Sequence, residues 1–112
     1  MLIYKIFRTP EWDELNRAGV TAGAPVDMAD GFVHFSTAET VAETAAKHFA
    51  GEDGLILVAC EAGAMGDALK WEVSRGGVAF PHLYRDMRLT DVAWSQPLPL
   101  ENGVHRFPER LA

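Results

Sequence analysis

The chain opens on a mostly apolar run, Leu2-Ile3-Tyr4-Lys5-Ile6-Phe7, rich in β-branched and aromatic side chains. Such a run predicts a strand. Thr9-Pro10-Glu11 then predicts a helix start, with Thr9 as cap, Pro10 at the first helical position and Glu11 in the first turn. Trp12 and Leu15 lie three apart and share the buried face. Gly19 is the natural stop. Residues 20–30 contain Gly23, Pro25 and Asp27 and predict a loop. Residues 31–35 predict a second short strand. Ser36-Thr37-Ala38-Glu39 has the form of a capping box, Ser36 and Glu39 each satisfying the other's backbone. The helix it would open runs to about Ala50, with Ala38, Val41, Ala42, Ala45 and Phe49 at helical spacing. The stretch Leu55–Glu61 is almost continuously apolar and predicts a central strand covered on both faces. Residues 63–68 predict a turn or a single helical turn. Leu69–Val73 predicts a strand with Leu69, Trp71 and Val73 on one face, broken by Gly76-Gly77. Residues 78–84 are short and hold Pro81, which predicts an edge strand or an ordered loop. Residues 91–95 predict another strand ended by Pro97 and Pro99, and residues 104–107 a last short one. Several strands with two clear helices predict an α+β fold, the helices packed on small mixed or antiparallel sheets.

Composition narrows the class. The 112 residues suit one domain, 1–112. With 48% hydrophobic and 23% charged residues, the chain has enough apolar surface to fold rather than stay disordered. The single cysteine excludes an internal disulfide framework and fits a reducing cytoplasm. Cys60 sits in an apolar run with no cation beside it, which predicts a core residue. The net charge of −6 disfavours phosphate backbones and anionic lipids, so neither nucleic acid nor a membrane is expected as partner. The N-terminus lacks the features of a signal peptide, and no apolar run approaches the ~20 residues of a membrane helix. A cytoplasmic location is expected.

Two stretches concentrate polar and aromatic side chains. In the first, residues 30–39, His34 lies near the end of a strand, and alternation sends Phe32, His34 and Ser36 to one face. A strand-to-helix junction exposes backbone N–H groups able to hold an anion or a carboxamide oxygen, at Ser36 and Thr37 here. The structural alternatives are a capping role for Ser36 and a histidine bonded to a carbonyl for His34. The second stretch, residues 69–84, gathers Glu72, Ser74, Arg75, His82 and Tyr84 around the Gly-Gly turn. Taken singly, Glu72 and Arg75 suit a surface ion pair, and His82 and Tyr84 suit a sheet edge. Taken together, they predict a polar site. The chain has no dinucleotide fingerprint, no phosphate-binding P-loop and no nucleophile elbow. His34, His48, His82 and His105 show no pair at metal-ligand spacing, so no metal site is expected. His48 fits a helix C-terminus.

With Tyr4-Lys5-Ile6, Trp12, Asp30-Gly31-Phe32-Val33-His34-Phe35-Ser36-Thr37, Trp71-Glu72-Val73-Ser74-Arg75-Gly76-Gly77 and Phe80-Pro81-His82-Leu83-Tyr84, the chain resembles a small bacterial family, domain of unknown function 952. The likeness covers nearly the whole chain, with Phe35 where many relatives have Leu. The resemblance implies an ADP-ribosyltransferase-like fold, in which NAD lies in a cleft between two small sheets. It implies that His34 corresponds to a strand histidine that holds the ribose. Phe35 stands where some members of that superfamily have a glycine between their His and Ser/Thr. Glu72 and Tyr84 are candidates for the remaining roles.

The reading that follows is a polar cleft built from His34, Ser36, Thr37, Glu72, Arg75, His82 and Tyr84. It would bind a nucleotide-like small molecule. NAD is a candidate substrate and no cofactor is required. His34, Glu72 and His82 are the candidate catalytic residues, for transfer or hydrolysis of ADP-ribose. Ser36, Thr37, Arg75 and Tyr84 are the candidate ligand-binding residues. The alternatives are a non-catalytic binding or regulatory module on the same fold, and motifs that serve only the fold.

Overall fold

The computed structural model describes residues 1–109 and Leu111, and of Arg75 only the backbone. Strand β1 (Leu2–Arg8) runs into helix α1 (Thr9–Ala18). The two-residue strand β2 (Val20–Thr21), the short helix α2 (Pro25–Asp30), strand β3 (Val33–His34) and helix α3 (Val41–His48) follow. Strands β4 (Leu55–Glu61), β5 (Leu69–Val73), β6 (Ala79–Leu83), β7 (Met87–Arg88), β8 (Val92–Leu98), β9 (Leu100–Glu101) and β10 (Val104–His105) complete the order. Among the described residues every strand pairing is antiparallel. The fold is α+β, with α1 and α3 as its main helices beside small antiparallel sheets.

The first sheet has the order β1-β4-β8. Its two faces carry different cores, because alternate residues of a strand point opposite ways. Ile3 and Phe7 join Val58 and Cys60 against Leu15, Val33, Leu83 and Met87. Tyr4 and Ile6 join Leu57 and Ala59 against Val41 and Ala45 of α3. Each large side chain buried this way contributes about 1.5–3 kcal/mol. The apolar run of β4 is central, as its composition predicts, and Cys60 is fully buried. Pro97 does not end its strand. It lies inside β8, opposite Ile56. This strand is an edge, and an edge has an outer side where no ladder hydrogen bond is missed.

The second sheet has the order β3-β6-β5. It places β6 in the middle and not at an edge, despite Pro81. Pairing with β3 stops at His34↔His82, one residue short of the proline. There the Phe35 N–H donates to the Pro81 carbonyl at 3.0 Å, a contact that asks for no N–H in return. Besides the core that the two sheets share, a backbone bridge links the first sheet to the segment that follows β3: Tyr4 and Ser36 exchange hydrogen bonds of 2.8 and 2.7 Å.

Several local expectations change. Arg8, not Thr9, caps α1, and its N–H donates to the Glu11 carboxylate at 2.9 Å. The Thr9 hydroxyl donates instead to the Gly54 carbonyl. Residues 20–30 are not a loop, since they hold β2 and α2. The Ser36–Glu39 capping box does not form, and α3 starts at Val41. Ser36 has its backbone drawn into the Tyr4 bridge, and its hydroxyl meets Thr44 Oγ1 at 2.9 Å. Helix α3 is shorter than predicted and ends at His48, and Ala42 lies on its exposed side rather than on the buried one. The last strand stops at His105. Among the described residues no helix is long and apolar enough to cross a membrane.

Candidate functional site

Beside the Tyr4–Ser36 bridge lies a cleft of about 600 Å³. Tyr4, Lys5, His34, Ser36, Thr44 and His82 are among its walls. The site has two arms, each ending in a histidine.

The first arm begins in α2. Pro25 sits at the start of this helix, and the Asp27 carboxylate folds back to accept the Ala24 N–H at 2.7 Å through Oδ2. The same oxygen lies 2.9 Å from Lys5 Nζ. The other oxygen, Oδ1, accepts the His34 backbone N–H at 2.9 Å and faces His34 Nδ1 at 2.6 Å. Lys5 Nζ also donates to the His34 carbonyl at 3.0 Å. Asp27 is 1% exposed and Lys5 7%. Burial pushes the Asp27 carboxyl up, but the His34 hydrogen bond and the Lys5 charge outweigh it and hold the group at about 2. The His34 ring is about a third exposed, and its Nε2 lies 3.0 Å from Asp30 Oδ2 at the rim.

The second arm is the β5–β6 hairpin. His82 stands directly across from His34 in the strand register. The two rings are 5.4 Å apart, centroid to centroid, and steeply inclined at 66°. Glu72 Oε1 meets His82 Nδ1 at 2.8 Å and accepts the Tyr84 hydroxyl at 2.7 Å. The Tyr84 hydrogen bond, then that of His82, holds the Glu72 carboxyl below the ordinary range. The same carboxylate pushes the Tyr84 phenol up. The Phe32 ring packs on all three partners, 4.2 Å from His82, 4.5 Å from His34 and 5.1 Å from Tyr84.

Chemically, this arrangement offers two imidazoles on one cleft, each with a carboxylate on Nδ1 and an aromatic ring beside it. A carboxylate accepts only, so each calls for a hydrogen on the Nδ1 it faces, while His34 also has the exposed Asp30 at Nε2. Such a pair can give and take protons. Among the described residues no cluster of three or more His, Cys, Asp or Glu side chains is set to hold a metal ion.

The predicted site residues fall into three groups. His34, His82 and Ser36 reach the cleft. Glu72 and Tyr84 stand behind His82 and bond to each other. Tyr84 borders a smaller hollow of about 270 Å³ that it shares with Phe32 and Asp27. Thr37 does not reach the cleft, because its N–H and hydroxyl both turn to the Thr40 hydroxyl, at 2.9 and 3.0 Å. With α3 starting at Val41, Thr37 is not a helix N-terminus either. The Arg75 side chain lies outside the described residues. Sequence reasoning passed over Lys5 and Asp27. Two signals mark them: a lone charge inside an apolar strand, and Pro25-Val26-Asp27, a proline followed by an acid in a first helical turn.

The model of a family described as a protein of unknown function, DUF952, matches residues 6–95. The crystal structure of protein CC0527 from Caulobacter crescentus superposes on this chain with a TM-score of 0.92. The two are 48% identical over 95% of this chain and 94% of that one. The solution NMR structure of CC0527 gives a TM-score of 0.83 and 49% identity over 92% of this chain and 90% of that one. No curated protein matches. By sequence over residues 6–95, and by a fold shared along nearly its whole length, the chain belongs to the DUF952 family.

Proposed function

We propose that the cleft binds NAD or a related nucleotide, on an ADP-ribosyltransferase-like fold, and that the chain transfers or hydrolyses ADP-ribose. The observation that carries the reading is the facing pair His34 and His82, each with a carboxylate on Nδ1, on one cleft. The cleft volume falls in the range that holds small molecules, about 300–1,000 Å³. In the proposed step the bond between ribose C1′ and the nicotinamide nitrogen breaks, and its electron pair leaves with nicotinamide. The oxocarbenium charge left on the ribose is stabilised by a carboxylate. Glu72 supplies it through its contact with His82. Water or an acceptor hydroxyl then attacks C1′ and gives its proton to His82. His34 holds the ribose. NAD enters as substrate, so no resident cofactor is needed. The net charge of −6 favours a small ligand over nucleic acid or a membrane, and the reading suits a cytoplasmic protein.

Calorimetric titration with NAD, ADP-ribose and nicotinamide tests binding. Heat with at least one is expected, and none at millimolar ligand overturns the reading. Turnover is tested by chromatographic detection of nicotinamide, which His82→Ala should abolish with the fold intact. One observation favours a second reading, a binding module without turnover: Glu72 stands behind His82 and not on the cleft wall. That module would bind ADP-ribose and release no nicotinamide.

A further inference from the structure

The Lys5–Asp27 ion pair is an expensive feature to keep. Both side chains are almost fully buried, and removing two charges from water costs several kcal/mol per ion before their attraction is counted. An apolar pair of equal volume would hold β1 to α2 at least as well. What an apolar pair could not do is hold His34. The ion pair touches that residue three times: at its backbone N–H, at its ring Nδ1 and at its carbonyl. We propose that Lys5 and Asp27 are positioning residues, which fix the rotation of the His34 ring and keep its hydrogen on Nδ1.

The surroundings fit this role. Every hydrogen-bonding direction of the Asp27 carboxylate is taken, two by His34, one by Lys5 and one by Ala24. A carboxylate with that many donors has one orientation. Its neighbour Gly23 leaves the space it needs: a Cβ there would lie 2.2 Å from Asp27 Oδ2. Exposed by about a third, the His34 ring would otherwise be held at Nε2 by the exposed Asp30, and turning it over would exchange Nδ1 with Cδ2 and Nε2 with Cε1. With Nδ1 committed to the buried Asp27, Nε2 is the nitrogen presented at the rim, where the exposed Asp30 Oδ2 lies 3.0 Å from it.

The inference rests on His34 acting in the proposed cleft. Its test needs no ligand, so its failure is separable from failure of the NAD reading. Protein labelled with ¹⁵N at histidine is expected to show a downfield Nδ1 proton for His34 that resists exchange. Deuterating that proton is expected to move the ¹³C shift of the Asp27 carboxyl. Either signature absent from the wild-type protein overturns the proposal without any variant. In the double variant Asp27→Asn with Lys5→Met, which leaves no buried charge behind, the His34 proton should exchange at least about tenfold faster. The His82 proton, held by Glu72, should not change. A folded double variant whose His34 signal is unaltered shows the pair to be a brace for the fold alone, and overturns the proposal. Should that variant not fold, Gly23→Ala, which displaces the carboxylate but keeps its charge, is read the same way. Should neither fold, the wild-type signatures decide.

Discussion

At the scale of single residues, Asp27 and Cys60 show how burial acts on different groups. The Asp27 carboxyl is held at about 2, below its ordinary 3.8, because its donors outweigh its desolvation. A group whose folded value is depressed adds stability that is full above the unfolded value. That stability is lost as pH falls toward the folded value. The window is therefore pH 4 to 2, and the contribution about 2 kcal/mol. Other carboxylates here are lowered as well, Asp91 and Glu52 among them. The Asp27 share is thus the difference between wild type and Asp27→Asn with Lys5→Met, in urea unfolding at pH 7 and pH 2.5. The wild type should lose more, and equal losses would refute the assignment. Removing Asp27 alone, as Asp27→Ala, leaves the Lys5 charge buried and is expected to cost about 3–5 kcal/mol. Cys60 has no such donors. Burial pushes its thiol up to about 12, with the nearby Asp91 charge adding to it. It should stay unmodified by a thiol reagent at pH 8 in the native protein and react promptly once urea unfolds the chain. Rapid modification of the folded protein would contradict its placement in the core.

At the scale of elements, α2 is the piece that makes the site. Six residues long, it carries Asp27 in its first turn and ends at Gly31, whose φ of 86° turns the chain into β3. Gly23, at φ 99°, precedes it. The two glycines separate two effects. At Gly31 a Cβ meets nothing within 4 Å, so Gly31→Ala carries only the cost of the left-handed backbone, about 1–2 kcal/mol. At Gly23 the same substitution also drives a methyl into the Asp27 carboxylate, which should add about 1–3 kcal/mol. Denaturant melts of both variants measure the gap, and equal costs would mean that Asp27 gives way freely. This helix was also the least legible element. Where apolar residues were continuous, as in β4, the sequence announced its strand, because a doubly covered strand needs no polar face. Helix α2 buries Asp27 rather than an apolar stripe, so no periodicity betrays it. The apparent capping box at Ser36–Glu39 misled for a related reason. Its residues suit a cap, but a strand from elsewhere in the chain, β1, claims the Ser36 backbone first. His34, His82, Glu72 and Tyr84 were legible as polar clusters because they lie on or just past the three strands β3, β5 and β6, where alternation groups them by face. Lys5 and Asp27 were not, since the worth of a buried charge depends on a partner that only the folded chain supplies.

At the scale of the whole molecule, the net charge of −6 repels an anionic ligand, and local cations must offset it. The helix start expected at Thr37 does not supply that attraction, because α3 begins four residues later. Among the described residues Lys5 and Arg8 are the Lys and Arg side chains on its wall, and Lys5 is already paired with Asp27. Arg8 is already drawn to Glu52 at 2.8 Å, so a phosphate there competes with a carboxylate. Under the NAD reading, ADP-ribose at one hundred times its dissociation constant should stabilise the fold by about 2.7 kcal/mol. The melting temperature should then rise by about 10 °C, and by much less for Arg8→Ala at the same concentration. An unmoved melting curve would tell against a ligand of this class. The strand order carries one more consequence, and it concerns time. The β5–β6 hairpin closes over a short turn, so Glu72 and His82 meet early. Strand β1 pairs with β4 only after all three helices have intervened, and β4 then needs β8 from nearer the C-terminus. During synthesis, β1 must wait for a partner made much later. Lys5 emerges well before His82, and the cleft that both help to wall cannot form until the later one is made.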